Sequence, residues 1–137
     1  MKGKSVFVDS NIWIYLYSND SKSSLARKTV DRHFENIILS SQVAGEVFHA
    51  LTRKGIRSKE EARAIVNDIL ETFTVVNVSA AMTSCAMDIS IRQGFSYWDS
   101  LIIAAALEHD CATLFSEDLQ HGQLIEKRLT IVNPFQS

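Results

Sequence analysis

KSVFVDSNIWIYLY (residues 4–17) carries an apolar run, Val6-Phe7-Val8, that stops at an acid, Asp9, with Ser10 and Asn11 next before the hydrophobic residues resume. Valine and phenylalanine favour a strand, and Asp, Ser or Asn favour the N-cap of a helix, so the stretch reads as a strand-to-helix junction. Two readings of Asp9 follow. It caps the helix that carries Ile12, Trp13, Tyr15 and Leu16, or it stands at the carboxyl end of a parallel strand, where open α/β sheets place their ligands and chemistry. The rest of the chain has to supply partners for it.

Working outward, strand and helix patterns alternate. Strands are expected at 5–9, 37–40, 74–78, 112–116 and 129–133, with Pro134 closing the fold. Helices are expected at about 11–18 and 21–34, and in the segments QVAGEVFHALTRKG, SKEEARAIVNDILETF, AAMTSCAMDISIRQG and SYWDSLIIAAALEHD. Ser40 or Ser41 caps the third helix and Gly55 follows its end, while Ser58 and Glu61 have capping-box spacing. SYWDSLIIAAALEHD is apolar on nearly every side, which marks a buried helix. Strands separated by helices imply βαβ units, right-handed crossovers and a mainly parallel sheet with helices on both faces.

The 137 residues, 46% of them hydrophobic with a single proline, suit one compact domain over 1–137 rather than a disordered chain. No apolar run reaches membrane-spanning length, and the start MKGKSVFVD is no export signal. A cytoplasmic protein is expected, with Cys85 and Cys111 as reduced core residues, since they lack metal-type spacing. A formal net charge of −2 argues against a general nucleic-acid coat protein but leaves room for an enzyme with a local basic strip.

Three further acids stand out. Glu46 flanks the apolar stripe of its helix instead of opposing it, although an exposed helical glutamate is the plain alternative. Asp99 lies in the first turn of the most hydrophobic helix, where Ser96-x-x-Asp99 has the form of a capping box. Asp118 falls just past a strand end, in line with Asp9, where a turn-forming Asp is the common reading. Glu117 beside it reads as a solvated neighbour. Each signal is weak alone; together they place two acids after strands and two on helices entering or lining the same face. Crowded carboxylates raise one another's pKa unless a cation compensates them. Oxygen ligands without Cys/His pairs point to Mg²⁺ or Mn²⁺ rather than Zn²⁺.

At these residues the sequence resembles a PIN-domain ribonuclease, most of all the VapC-type toxins of bacterial toxin–antitoxin pairs. VFVDSNIWIY resembles the family's opening strand and first acid, Asp9, followed by Ser10 and Asn11. SSQVAGEVFHAL resembles the second motif, with Glu46 its glutamate, and GFSYWDSLIIAAAL the third, with Asp99 its acid. TLFSEDLQHG and IVNPF resemble the end of the domain, with Asp118 the fourth acid and Ser116 its preceding hydroxyl.

The resemblance implies a three-layer α/β/α sandwich, a homodimer, and Mg²⁺- or Mn²⁺-dependent endonuclease activity on RNA that leaves a 5′-phosphate and a 3′-hydroxyl. Asp9, Asp99 and Asp118 would hold the metal. Glu46 would hold a second one or orient the attacking water. Ser10, Asn11, Ser116 and Glu117 would support them. An antitoxin would lay a helical segment in a groove and blunt the site.

Arg53, Lys54 and Arg57, with Lys59 and Arg63 beyond, form a basic cluster at a helix–helix connection, either solvated or contacting RNA phosphates. His49 and His121 read as a structural and a turn residue. Trp13, Tyr15, Tyr17 and Trp98 read mostly as core or dimer-interface aromatics, with base stacking open to one of them, and Met82 and Met87 as core filler. Two other functions compete: a PIN nuclease of RNA maturation or decay without an antitoxin, and a PIN-fold binding module with idle acids. A phospho-acceptor role for Asp9 lacks the second aspartate two residues on, and no lysine follows a late strand as a receiver domain needs.

Overall fold

The computed structural model describes residues 4–136; Met1–Gly3, which open the stretch read above as no export signal, lie outside them. The sheet is built from β1 (Val6–Val8), β2 (Ile37–Ser40), β3 (Thr74–Val76), β4 (Thr113–Phe115), β5 (Leu124–Ile125) and β6 (Leu129–Val132). The helices are α1 (Ser10–Leu16), α2 (Ser23–Arg32), α3 (Ser41–Arg53), α4 (Lys59–Thr72), α5 (Ala80–Gln93) and α6 (Tyr97–Glu108), and a 3-10 turn at Phe34–Asn36 leads into β2. Strand order is β3-β2-β1-β4-β6-β5. Every pairing is parallel except β5 with β6.

The local signals act as their chemistry dictates. Asp9 is the N-cap of α1, its carboxylate accepting from the Ser10 amide, and Ser40 caps α3. The capping box of Ser58 and Glu61 is complete. Gly94 ends α5 with φ 81°, a conformation that a side chain would strain. The short strand β5 was not among the expected strands, for a physical reason. It spans two residues, and the turn after it places Glu126 and Lys127 at φ 51° and 61°, without the Gly or Asn that normally marks such a turn.

The core fills both faces of the sheet. Phe7, Leu39, Leu114 and Ile131 are fully buried from the strands, and Ile103 lies on α6, which is buried without a break from Ser100 to Leu107. Helix α6 packs on β2, β4 and α5, while α1 packs on α2 and α3, giving helix, sheet and helix layers. Trp13 is fully buried and donates its indole N–H to the Val8 carbonyl at 3.1 Å, which ties α1 to the end of β1. Cys111 is buried and Cys85 partly so, and both are free thiols. Met82 is core, but Met87 departs from the expectation: it lies on the outer face of α5 and is half exposed. Among the described residues, no helix is long and apolar enough to cross a membrane.

Candidate active site

The strand order reverses direction between β1 and β4, the switch point at which a parallel sheet opens a crevice beyond its strand ends. Val8 is in register with Phe115, and the Asp9 amide carries the ladder one residue further by donating to the Phe115 carbonyl at 3.0 Å. Asp9 and Ser116 therefore emerge side by side. The Ser116 hydroxyl donates to Asp9 Oδ2 at 2.8 Å and accepts from the Asp118 amide at 3.3 Å. Asp9 Oδ1 accepts from the Ser10 amide at 2.7 Å. Asp9 is thus both the helix cap and the strand-end acid. The two readings left open by the sequence are one arrangement.

Helix α3 leaves the end of β2 and α6 starts at the same edge, before running back to β4. Glu46 stands in the second turn of α3 and Asp99 in the first turn of α6. Ser96 caps α6 by accepting from the Asp99 amide at 3.1 Å, so capping uses the backbone of Asp99 and leaves its carboxylate available. Gln42, one helical turn before Glu46, donates to Glu46 Oε2 at 3.2 Å and to the Trp98 carbonyl at 3.3 Å, joining the two helix starts. Sequence reading missed Gln42, although the i, i+4 spacing to Glu46 was a usable signal.

Electrostatics tie the four acids together. Asp9 is only 2% exposed, and burial above all pushes its pKa to about 6, against the Ser116 and Ser10 hydrogen bonds, with Glu46 and Asp118 raising it further. Glu46 is raised by burial, then opposed by hydrogen bonds from Gln42 and Ser10, with Asp99 and Asp118 adding to the rise. Asp118 is raised by desolvation, Asp99 and Glu117, and Lys54 draws it back down. Burial is thus the leading cause for all three, and the neighbouring carboxylates add to it.

Such a donor set, hard carboxylate oxygens whose mutual repulsion a cation relieves, fits a divalent metal. Among the described residues no three His, Cys, Asp or Glu side chains stand close enough together to hold a metal ion by themselves, so the match is one of donor chemistry. The two buried side-chain oxygens left without a partner among the described residues are Gln42 Oε1 and Ser100 Oγ, next to Glu46 and Asp99 respectively.

Glu117 departs from the sequence reading of a solvated neighbour. It accepts from the Tyr15 hydroxyl at 2.6 Å and forms an ion pair with Lys22, whose ammonium also lies 5.1 Å from the Tyr15 ring centroid. Partial burial works against its ionised form, but the Lys22 and Tyr15 bonds outweigh it and hold its pKa below the ordinary value. Glu117 is thereby committed to α1 and the start of α2. No local spacing in the sequence announces a contact across 95 residues.

Beside the acids lies a groove of about 840 Å³ whose lining includes Ser10, Glu46, His49, Arg53, Lys54 and Trp98. His49 faces this groove instead of the core, which corrects its structural reading. Arg57 is not part of the lining; its guanidinium donates to the Ile56 carbonyl at 3.1 Å. His121 is the turn residue expected, accepting from the Asn133 amide at 3.0 Å.

A switch-point crevice in an α/β/α sandwich with acids from two strand ends and two helix starts defines a class of acidic-site domains. The chain belongs to the PIN domain family, whose model matches residues 6–126. No curated protein matches it by sequence. Its fold is shared by a toxin–antitoxin complex from Klebsiella pneumoniae, at 20% identity and TM-score 0.75 over 97% of this chain and 100% of that one. It is also shared by Mycobacterium tuberculosis VapC20, described as a sarcin–ricin-loop-cleaving toxin, at 21% identity and TM-score 0.72 over 83% and 90%. DNA-bound VapBC from Salmonella typhimurium is similar at 16% identity and TM-score 0.71, over 94% and 98%.

Proposed function

We propose that this protein is a divalent-metal-dependent endoribonuclease and the toxin of a type II toxin–antitoxin pair. What supports the reading is the mutual repulsion among Asp9, Glu46, Asp99 and Asp118: Glu46 and Asp118 raise the pKa of Asp9, and Asp99 raises those of Glu46 and Asp118. Asp9, Asp99 and Asp118 would hold Mg²⁺ or Mn²⁺, and Glu46 would orient the attacking water or hold a second ion. When bound, the metal lowers the pKa of water and neutralises charge building on the scissile phosphate. Ser116 and the Ser10 amide orient Asp9, which keeps both carboxylate oxygens fixed before a metal arrives. Asn11 follows in the first turn of α1, beside Ser10.

Arg53 and Lys54, exposed on the groove, attract RNA phosphates toward the acids, with Arg57 a more distant member of the same basic cluster. No side-chain nucleophile is required, so Ser10, Ser116 and the cysteines take no covalent role. The toxin assignment rests on the family and on the fold shared with toxin–antitoxin complexes. It brings with it an antitoxin partner, a homodimer and a cytoplasmic setting.

The test is cleavage by purified, antitoxin-free protein of a pool of structured RNAs that includes a sarcin–ricin hairpin. It is run with Mg²⁺, with Mn²⁺ and with chelator, beside Asp9→Asn and Asp99→Asn. Cutting that requires the metal and both acids supports the nuclease. Cutting that survives either substitution refutes the role given to that acid, and no cutting together with no metal binding by calorimetry leaves the fold as a binding module.

A further inference from the structure

Resting on the nuclease reading and deepening it toward substrate class, we infer that Trp98 is a stacking platform for one unpaired nucleobase of a single-stranded RNA segment. The chain holds two tryptophans in opposite circumstances: Trp13 is 0% exposed in the core, whereas Trp98 is 62% exposed on the rim of the groove. Leaving an indole in water forgoes the burial that normally stabilises so large a ring. Its position answers for it. Trp98 immediately precedes Asp99 in the first turn of α6, and the same groove is lined by Glu46, Arg53 and Lys54.

The residue is held rather than loose. Its carbonyl accepts from Gln42, which also binds Glu46, so its backbone is tied to the framework of the acid cluster. Tyr97 braces the ring edge-on, with centroids 5.0 Å apart and planes at 76°. A fixed aromatic surface beside cations and next to phosphodiester-cleaving acids is the combination by which proteins bind single strands: cations track the backbone and the ring takes a base face. In a duplex that face is already stacked on its neighbours, so the platform selects loops, bulges and single strands. Arg53 and Lys54 favour a polyanion over an apolar protein segment on this surface.

The buried position of Trp13 makes the test clean, because an RNA that quenches intrinsic fluorescence reports on Trp98. Binding is measured in chelator, so nothing is cut, with a short single-stranded RNA and a series carrying one abasic nucleotide at each position in turn. Wild type, Trp98→Ala and Trp98→Phe are compared, and sedimentation gives the oligomeric state of each. The expected result is fluorescence quenching in the wild type and one RNA position where loss of the base weakens binding about 10-fold. That position-specific loss is absent in Trp98→Ala and largely kept in Trp98→Phe.

The inference is overturned if base removal weakens wild type and Trp98→Ala equally, if the wild type binds no RNA, or if Trp98→Ala converts a dimer to monomers, which would make the ring a contact between copies. Metal-dependent cleavage with no base coupling sinks the platform alone. Base coupling without any cleavage under metal leaves the platform standing and removes the nuclease.

Discussion

Replacing Asp9 by asparagine isolates the electrostatic tension of the site in the absence of metal. Burial, with Glu46 and Asp118 adding, lifts the Asp9 pKa from 3.8 to about 6. The folded state therefore holds a proton that the unfolded state has released in this window, and stability falls as pH rises from 3.8 toward and through about 6. Between pH 5 and 7.5, integration of the linkage relation over these two pKa values gives a loss of about 1.4 kcal/mol from Asp9. With about 2.1 cal/mol/K of unfolding entropy per residue, that loss lowers Tm by about 5 °C.

Asparagine cannot titrate, so the assay is the difference between wild-type and Asp9→Asn thermal melts at several pH values in chelator, which cancels the other groups titrating in the range. The wild type should lose about 5 °C relative to the variant between pH 5 and 7.5. Saturating Mn²⁺ should then reverse the order at pH 7.5, since a ligand at about 100 times its Kd stabilises by about 2.7 kcal/mol and asparagine holds a cation poorly. Parallel pH profiles for the two proteins would refute the claim that Asp9 is a strained, cation-seeking carboxylate. Equal stabilisation of both by Mn²⁺ would refute its role as a metal ligand.

Glu117→Ala removes the acceptor of Tyr15 and Lys22, and by freeing the loop that bears Asp118 should raise the Mn²⁺ concentration for half-maximal cleavage several-fold; Glu117→Gln, which still accepts from Tyr15, should recover part of the loss in the same titration. Replacing Arg53 and Lys54 by glutamine should weaken RNA binding whatever the sequence, and flatten the salt dependence by about 0.7 in log–log slope for each phosphate contact removed, read by fluorescence anisotropy in chelator across salt concentrations. Ile103→Ala, in the fully buried α6, should cost about 2–5 kcal/mol in urea unfolding, with metal affinity per folded molecule unchanged.

The alternation of strands and helices, the caps at Ser40, Ser58 and Ser96, and the stop at Gly94 were all legible because each is a local interaction among neighbours in the chain. Hydrophobic period and turn chemistry act over a few residues, and a sequence displays them directly. So were Asp9, Glu46, Asp99 and Asp118 as candidates, since each acid interrupts an apolar pattern or stands at an element's end. Their convergence is another matter.

Only the strand order β3-β2-β1-β4-β6-β5 brings Asp9 beside Ser116, which then ties it to the Asp118 amide. Tertiary contact alone decided that Glu117 turns to Tyr15 and Lys22, that His49 faces the groove, and that Trp13 is core while Trp98 is rim. Composition treats the two tryptophans as equals. Which side of a sheet a crossover lands on, and hence which residues meet across a hundred positions, is set by the packing of whole elements. No residue encodes that choice locally. It decides which of the plausible side chains share a field, and so where this protein can do chemistry.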